Sequence, residues 1–140
     1  MAQLLVFSGS NHSKSINKQL GKYASSVIKE TETNSVEINE IELESFQAPI
    51  FSIDLEGKSG VPESIKKLRE VFLKADGFMF TTPEHNGSLP AFLKNIFDWI
   101  SRVDDGSIFN DKPVMIISTS PGGRGGAGVI AHLELSLIHI

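Results

Sequence analysis

What most constrains this chain is a change of period that repeats along its length. Short apolar runs of strand length alternate with longer stretches whose apolar residues recur every three or four positions. The first run, QLLVFS (Gln3 to Ser8), is followed by a glycine, as in a buried strand. In SINKQLGKYASSVIKE (Ser15 to Glu30), Ile16, Leu20, Tyr23, Ala24, Val27 and Ile28 fall at helical spacing. SVEINEI (Ser35 to Ile41) alternates apolar and polar residues, as an edge strand does. Residues 42 to 60, with Pro49, Gly57 and Gly60, read as irregular. VPESIKKLREVFLKA (Val61 to Ala75) predicts a second helix, with Pro62 in its first turn and Ile65, Leu68, Val71 and Phe72 on its inner face. GFMFTT (Gly77 to Thr82) is a third strand, Leu89 to Val103 a third helix, and KPVMIISTS (Lys112 to Ser120) a fourth strand that is apolar on both faces. From Gly126 onward, Ile130, Leu133, Leu137 and Ile140 mark a fourth helix.

Strands alternating with helices imply an α/β architecture whose parallel sheet is covered on both faces. Right-handed crossovers follow for units of this kind. A chain of 140 residues is expected to make one domain, 1–140, around one core.

Composition removes several classes of function. With 13 basic and 17 acidic side chains the net charge is −4, and no Lys/Arg cluster interleaves with aromatics, so no nucleic-acid footprint is present. The absence of cysteine excludes disulfides, thiolate metal sites and cysteine nucleophiles. The four histidines are scattered, without metal-ligand spacing, so no metal site is expected. The N-terminus lacks a basic region followed by an apolar one, and no apolar stretch has the roughly 18 residues of a membrane span. The expected location is cytoplasmic.

In open α/β sheets, ligands bind beyond the carboxyl ends of the strands. That rule selects three segments. SGSNHSKS (Ser8 to Ser15) places four serines, a glycine and an asparagine ahead of a helix N-terminus. Hydroxyls, free N–H groups and the positive end of a helix dipole favour a phosphate; the plainer alternative is an N-cap with a polar loop. PEHNGSLP (Pro83 to Pro90) holds Asn86-Gly87, a pair suited to unusual backbone angles. His85 there either stacks or hydrogen-bonds a ligand, or is a solvated loop residue. STSPGGRGGAG (Ser118 to Gly128) has five glycines in eleven residues, more than a turn requires, and its backbone amides can line a planar or anionic group. Arg124 either meets a phosphate or reaches solvent. Together the three loops predict a ligand with a phosphate and a flat polar body. The Gly-Lys-Ser/Thr of phosphate-cleaving nucleotide enzymes is missing.

GSNHSKSINKQL (Gly9 to Leu20), TPEHNGSLPAFLKNIFDWISR (Thr82 to Arg102) and STSPGGRGGA (Ser118 to Ala127) resemble the NADPH-dependent FMN reductase family, which includes chromate, quinone and azo-dye reductases. The resemblance implies a flavodoxin-like three-layer sandwich with strand order 2-1-3-4 and FMN as cofactor. It puts the FMN phosphate on Ser10, Ser15, Ile16 and Asn17, with His12 where an arginine is common. It puts the ring and ribityl contacts on Pro83, Glu84, His85, Asn86 and Gly87, with His85 where tyrosine is usual. Ser120, Gly122 and Gly123 are implied to lie against the flavin, and Arg124 to steer the phosphates of NADPH or NADH. The implied reaction carries electrons from NAD(P)H through FMN to a quinone, chromate, an azo compound or free flavin. No side chain is assigned a catalytic role. The alternatives are a flavodoxin-like electron carrier and a flavin-binding module without NAD(P)H turnover.

Two further expectations concern what surrounds the fold. Trp99, Phe92, Phe97 and Ile100 cover more than one face of the third helix, so part of this set is expected to pack on another subunit. The resemblance implies a homodimer or homotetramer. Family members usually continue with a fifth strand and a last helix, so the chain reads as incomplete and its fourth strand as an exposed edge.

Overall fold

The computed structural model describes residues 1–31, 35–104 and 107–140. Four parallel strands, β1 (Ala2–Ser8), β2 (Val36–Glu40), β3 (Gly77–Thr81) and β4 (Val114–Ile117), form one sheet in the order β2-β1-β3-β4. Leu4 pairs with both Ile38 and Gly77, and Phe80 with both Phe7 and Ile116, so β1 and β3 are central. Among the described residues five α-helices accompany them: α1 (Ile16–Thr31), α2 (Ile53–Ser59), α3 (Glu63–Lys74), α4 (Ala91–Ile100) and α5 (Ala127–His139). The α/β alternation and the 2-1-3-4 order are those expected.

Alternation along the strands sends Leu5, Phe7, Phe78 and Phe80 to one face. There they meet Leu68 and Phe72 of α3, Leu93 and Phe97 of α4, and Val129 and Leu133 of α5 in one buried cluster. The Phe7 and Phe80 rings stack with centroids 4.9 Å apart. The opposite face is covered by α1, which lies over β1, β2 and β3.

The buried face of α1 is not its apolar stripe. Ile16, Tyr23 and Val27 are exposed, Tyr23 to 68%. Asn17, Gly21 and Ser25, four residues apart, face the sheet instead. Small side chains let the helix sit close: a Cβ on Gly21 would stand 3.4 Å from Thr81 Oγ1. Close approach and a buried amide bridge, described below, outweigh hydrophobic spacing here.

The stretch 42–60 is ordered where the sequence reads as irregular. A 3₁₀ turn spans Leu43–Phe46, and α2 follows. Ser52 Oγ accepts the Leu55 N–H at 3.3 Å, Asp54 and Glu56 sit in the positively polarised first turn, and Gly60, at φ +70°, closes the helix by donating its N–H to Glu56 O. These local signals stand in the sequence, but the helix is only two turns long and its apolar period is too short to register.

That segment covers α4. Trp99 Nε1 donates to Pro49 O at 2.7 Å, and Phe51 meets the indole edge-on at 5.0 Å. Asn95 reaches the same segment, donating to Pro49 O and accepting the Phe51 N–H. Phe97, Trp99 and Ile100 are therefore buried within the chain, and Phe92 is half-buried against the same core. Of the aromatic set expected to reach another subunit, Trp99 is covered by residues 49 and 51 and Phe97 by Phe80 and Phe109, and only Phe92 keeps part of its surface.

β4 is the exposed edge strand expected, but the cover expected on both faces of the sheet does not reach it. Val114 and Ile116 pack on the core, whereas Met115, on the other face, is 58% exposed. β4 is an edge strand, and the helix on that face lies over β1 to β3. Pro62 and Pro90 both stand one position before their helices, at φ −56° and −59° with ψ 141°, and not inside the first turn.

Candidate functional site

Three loops leave the carboxyl ends of β1, β3 and β4, which are neighbours. Two strand spacings cover about 10 Å, so the loops form one shelf.

The first loop is built from its own residues. Ser8 Oγ accepts the Ser10 N–H at 3.3 Å, and Ser10 Oγ accepts the His12 N–H at 3.2 Å. Ser15 caps α1: its Oγ accepts the Lys18 N–H at 3.3 Å. Ser8, Ser10 and Ser15 are buried by these duties, while His12 and Ile16 are exposed. The N–H groups of Ile16 and Asn17 belong to the first helical turn, where no intrahelical acceptor exists. They point with the positive end of α1. Lys18, in the same turn, is held by Glu42 at 3.2 Å and by Glu44. Burial lowers its pKa, but the hydrogen bonds and charges of Glu44 and Glu42 outweigh that, and its pKa stands above the ordinary lysine value.

The second loop is a miniature hairpin. His85 and Ser88 exchange both backbone hydrogen bonds, at 2.9 and 3.0 Å. Asn86 and Gly87 occupy the turn at φ +52° and +76°. Positive φ at both central positions is the type I′ pattern, which Asn-Gly adopts at little cost. The imidazole of His85 and the side chain of Asn86 are exposed.

The third loop is fixed by a contact only glycine permits. Gly126 sits at φ +88° before α5, and a Cβ there would fall 2.0 Å from Ser118 Oγ. That hydroxyl donates to Thr82 O at 2.7 Å, joining the second and third loops at their roots. Ser120 Oγ donates to Gly122 O, and Gly122, Gly123 and Arg124 are exposed.

Side-chain bonds across long sequence distances join the three loops. Asn17 donates to Thr119 O and accepts the Thr119 N–H, both at 3.0 Å. Glu84 Oε2 accepts the Val129 N–H at 3.0 Å, in the first turn of α5, and His132 Nδ1 lies 2.9 Å from Ser88 Oγ. So the structure brings all three predicted loops together, yet it turns two predicted ligand side chains elsewhere. The Asn17 amide is spent on Thr119, and one oxygen of the Glu84 carboxylate on α5. Thr119 and Gly128, which lie in the third predicted loop but were given no individual role, and His132, which the sequence did not single out, hold this shelf. Thr119 acts through its backbone and His132 is one of four scattered histidines, so neither carries a sequence signal. A cavity of about 380 Å³ beside the first loop is lined by Asn11, Gln47, Phe92 and Asn95 and by no residue of the other two loops. The candidate ligand surface is therefore the shelf itself.

A four-stranded parallel sheet in this order, with a loop cluster at its carboxyl ends, defines a flavodoxin-like α/β protein. The model of the NADPH-dependent FMN reductase family matches residues 2–140, and the chain belongs to that family. It is 32% identical over 135 residues to a quinone reductase of Pseudomonas putida, covering 96% of this chain and 69% of that protein. It is 38% identical over 92 residues to a quinone reductase of Escherichia coli (strain K12), covering 66% of this chain and 48% of that one. It thus spans about half the length of several relatives it matches. Among solved structures, FerB, a flavoenzyme NAD(P)H:(acceptor) oxidoreductase from Paracoccus denitrificans, superposes with a TM-score of 0.78 at 29% identity, over 99% of this chain and 72% of that one.

Proposed function

We propose that this protein is an NAD(P)H-dependent FMN oxidoreductase that passes electrons to a small quinone-type acceptor. The observation that carries this reading is the shelf: three ligand-type loops on adjacent strands, tied together by Asn17–Thr119 and Ser118–Thr82. FMN, when bound, supplies the hydride and electron transfer, and the protein supplies position and electrostatics.

The residues fit that group. Ile16 and Asn17 offer free N–H groups at the positive end of α1, where a phosphate is favoured. Ser10 and Ser15 shape that loop from within, and the exposed His12 lies beside it. Pro83, Glu84, His85, Asn86 and Gly87 would edge the flat ring with main chain. Ser120, Gly122 and Gly123 would close the other side, where uncapped N–H groups favour negative charge on the ring. Arg124, exposed on the same loop, would meet the phosphates of NADPH or NADH. Chromate, azo compounds and free flavin share the acceptor's chemistry as electron-poor small molecules.

In this reading residues 1–140 act as one FMN-binding domain in the cytoplasm, as a homodimer or homotetramer. The oligomer rests on the family resemblance, since Phe97, Trp99 and Ile100 of α4 are buried within the chain. Among the described residues, no helix is long and apolar enough to cross a membrane.

The test is a visible spectrum of the purified protein, reconstituted with FMN, before and after NADPH without oxygen. Bound yellow flavin that bleaches, and recovers on adding a quinone, is the expected result. Bound flavin that does not bleach would favour an electron carrier. Failure to bind FMN would defeat the reading.

A further inference from the structure

The Glu84 carboxylate stands near the start of the predicted cofactor loop and reaches across to the first turn of α5. Its Oε2 takes the Val129 N–H at 3.0 Å, at the third position of α5. Next to it, Gly128 has no room for a side chain: a Cβ would stand 2.8 Å from Glu84 Oε2 and 3.0 Å from Gly87 O. The hairpin carbonyl and the carboxylate therefore both rest on the bare backbone of α5. Ser88, at the far end of the hairpin, meets His132 one turn further along the same helix. The hairpin itself has only two backbone bonds, His85 to Ser88 and back. A turn that small is marginal on its own.

From this we infer that Glu84 is a positioning residue, a latch that sets the height of the 85–88 hairpin above the shelf by anchoring it to the first turn of α5. A carboxylate is suited to the place, because it answers both an orphan N–H and the positive end of the helix. The inference rests on the flavin reading above for its consequence, but not for its geometry: what the latch positions is the cofactor's edge, and the latch itself is visible without cofactor. Glutamine at this position keeps an oxygen for the Val129 N–H; alanine does not. Gly128→Ala attacks the same contact from the helix side and leaves Glu84 in place.

The experiment follows amide hydrogen exchange and FMN affinity in the 140-residue chain and in Glu84→Ala, Glu84→Gln and Gly128→Ala. Without cofactor, Glu84→Ala is expected to speed exchange at His85 and Ser88 by roughly tenfold or more, the loss of one charge-assisted hydrogen bond, while the β3 amides of Phe78 to Thr81 stay protected. The FMN dissociation constant, read by quenching of flavin fluorescence, is expected to rise by a similar roughly tenfold factor. Glu84→Gln should recover most of both effects, and Gly128→Ala should reproduce them. Unchanged exchange at His85 and Ser88 in Glu84→Ala overturns the latch, as does acceleration spread equally over β3, which would mean general destabilisation. Gly128→Ala decides the matter if Glu84→Ala does not fold: wild-type hairpin exchange in that variant also overturns it. If the wild-type chain binds no FMN, the functional reading falls, and the exchange measurements still judge the latch.

Discussion

The first and second loops do comparable work by opposite means. The first is shaped mainly in its own neighbourhood: Ser8, Ser10 and Ser15 bond residues two or three positions away, beside one distant backbone bond from the Gly9 N–H to Thr81 O at 2.7 Å. The second has only a small turn of its own and is held by Val129 and His132, some 45 and 44 residues on. A loop shaped mainly by its own neighbours survives more changes elsewhere in the fold. A loop held from a distance inherits every shift of its anchor. The contrast teaches that ligand loops of similar composition can differ completely in what they depend on.

The largest test of that contrast is at the distant anchor. Gly126→Ala forces a Cβ into Ser118 and places alanine at φ +88°. It should cost roughly 3 kcal/mol or more, combining a steric clash with backbone strain, measured by chemical denaturation. Adding Ser118→Gly should return the clash component but not the strain, so the double variant sits between. Asn17→Ala comes next. It abandons the part-buried N–H and C=O of Thr119 and should cost about 1–3 kcal/mol, with the third loop loosened in hydrogen exchange and the first loop's serine bonds kept. Ser15→Ala removes one cap and should cost about 1 kcal/mol, with disturbance confined to the start of α1. Equal spreading of the Asn17 and Ser15 effects would erase the distinction between the loops.

The smallest effect concerns Lys18, which ties the first turn of α1 to Glu42 and Glu44 after β2. Its folded pKa is raised, so its stabilising contribution is full below the unfolded lysine value of 10.5 and fades as pH climbs through the folded value. Comparing wild type with Lys18→Met, the stability difference should be flat on the neutral side of that range and shrink only in strong alkali. A difference that shrinks near neutrality would show that the Glu42 and Glu44 contacts do not set it.

Much of this fold was legible because its signals are short-ranged. Strands such as Leu4 to Phe7 and Phe78 to Phe80 are apolar enough to be read directly, and the loops between them announce themselves with serine, asparagine and glycine. The inner face of α1 was not legible. Asn17, Gly21 and Ser25 look like a polar surface until the sheet is placed beneath them, because their value lies in closeness and in a bridge to residue 119. The cover over α4 was missed for a similar reason. Helix α2 is short, and the bonds that dock its approach, from Asn95 and Trp99 to residues 49 and 51, join positions more than forty residues apart. In the candidate site the loops were readable and the roles of Asn17 and Glu84 were not: composition shows that a carboxylate is present, but only the third dimension shows which way it faces.

The docking of residues 42–60 gives the chain a built-in reporter. Trp99 is its single tryptophan, and its indole nitrogen is tied to Pro49. Ultraviolet emission from this protein therefore speaks for one event above others, the seating of that segment on α4. A red shift that precedes loss of helical circular dichroism would time the departure of the cover, with no label added to the molecule.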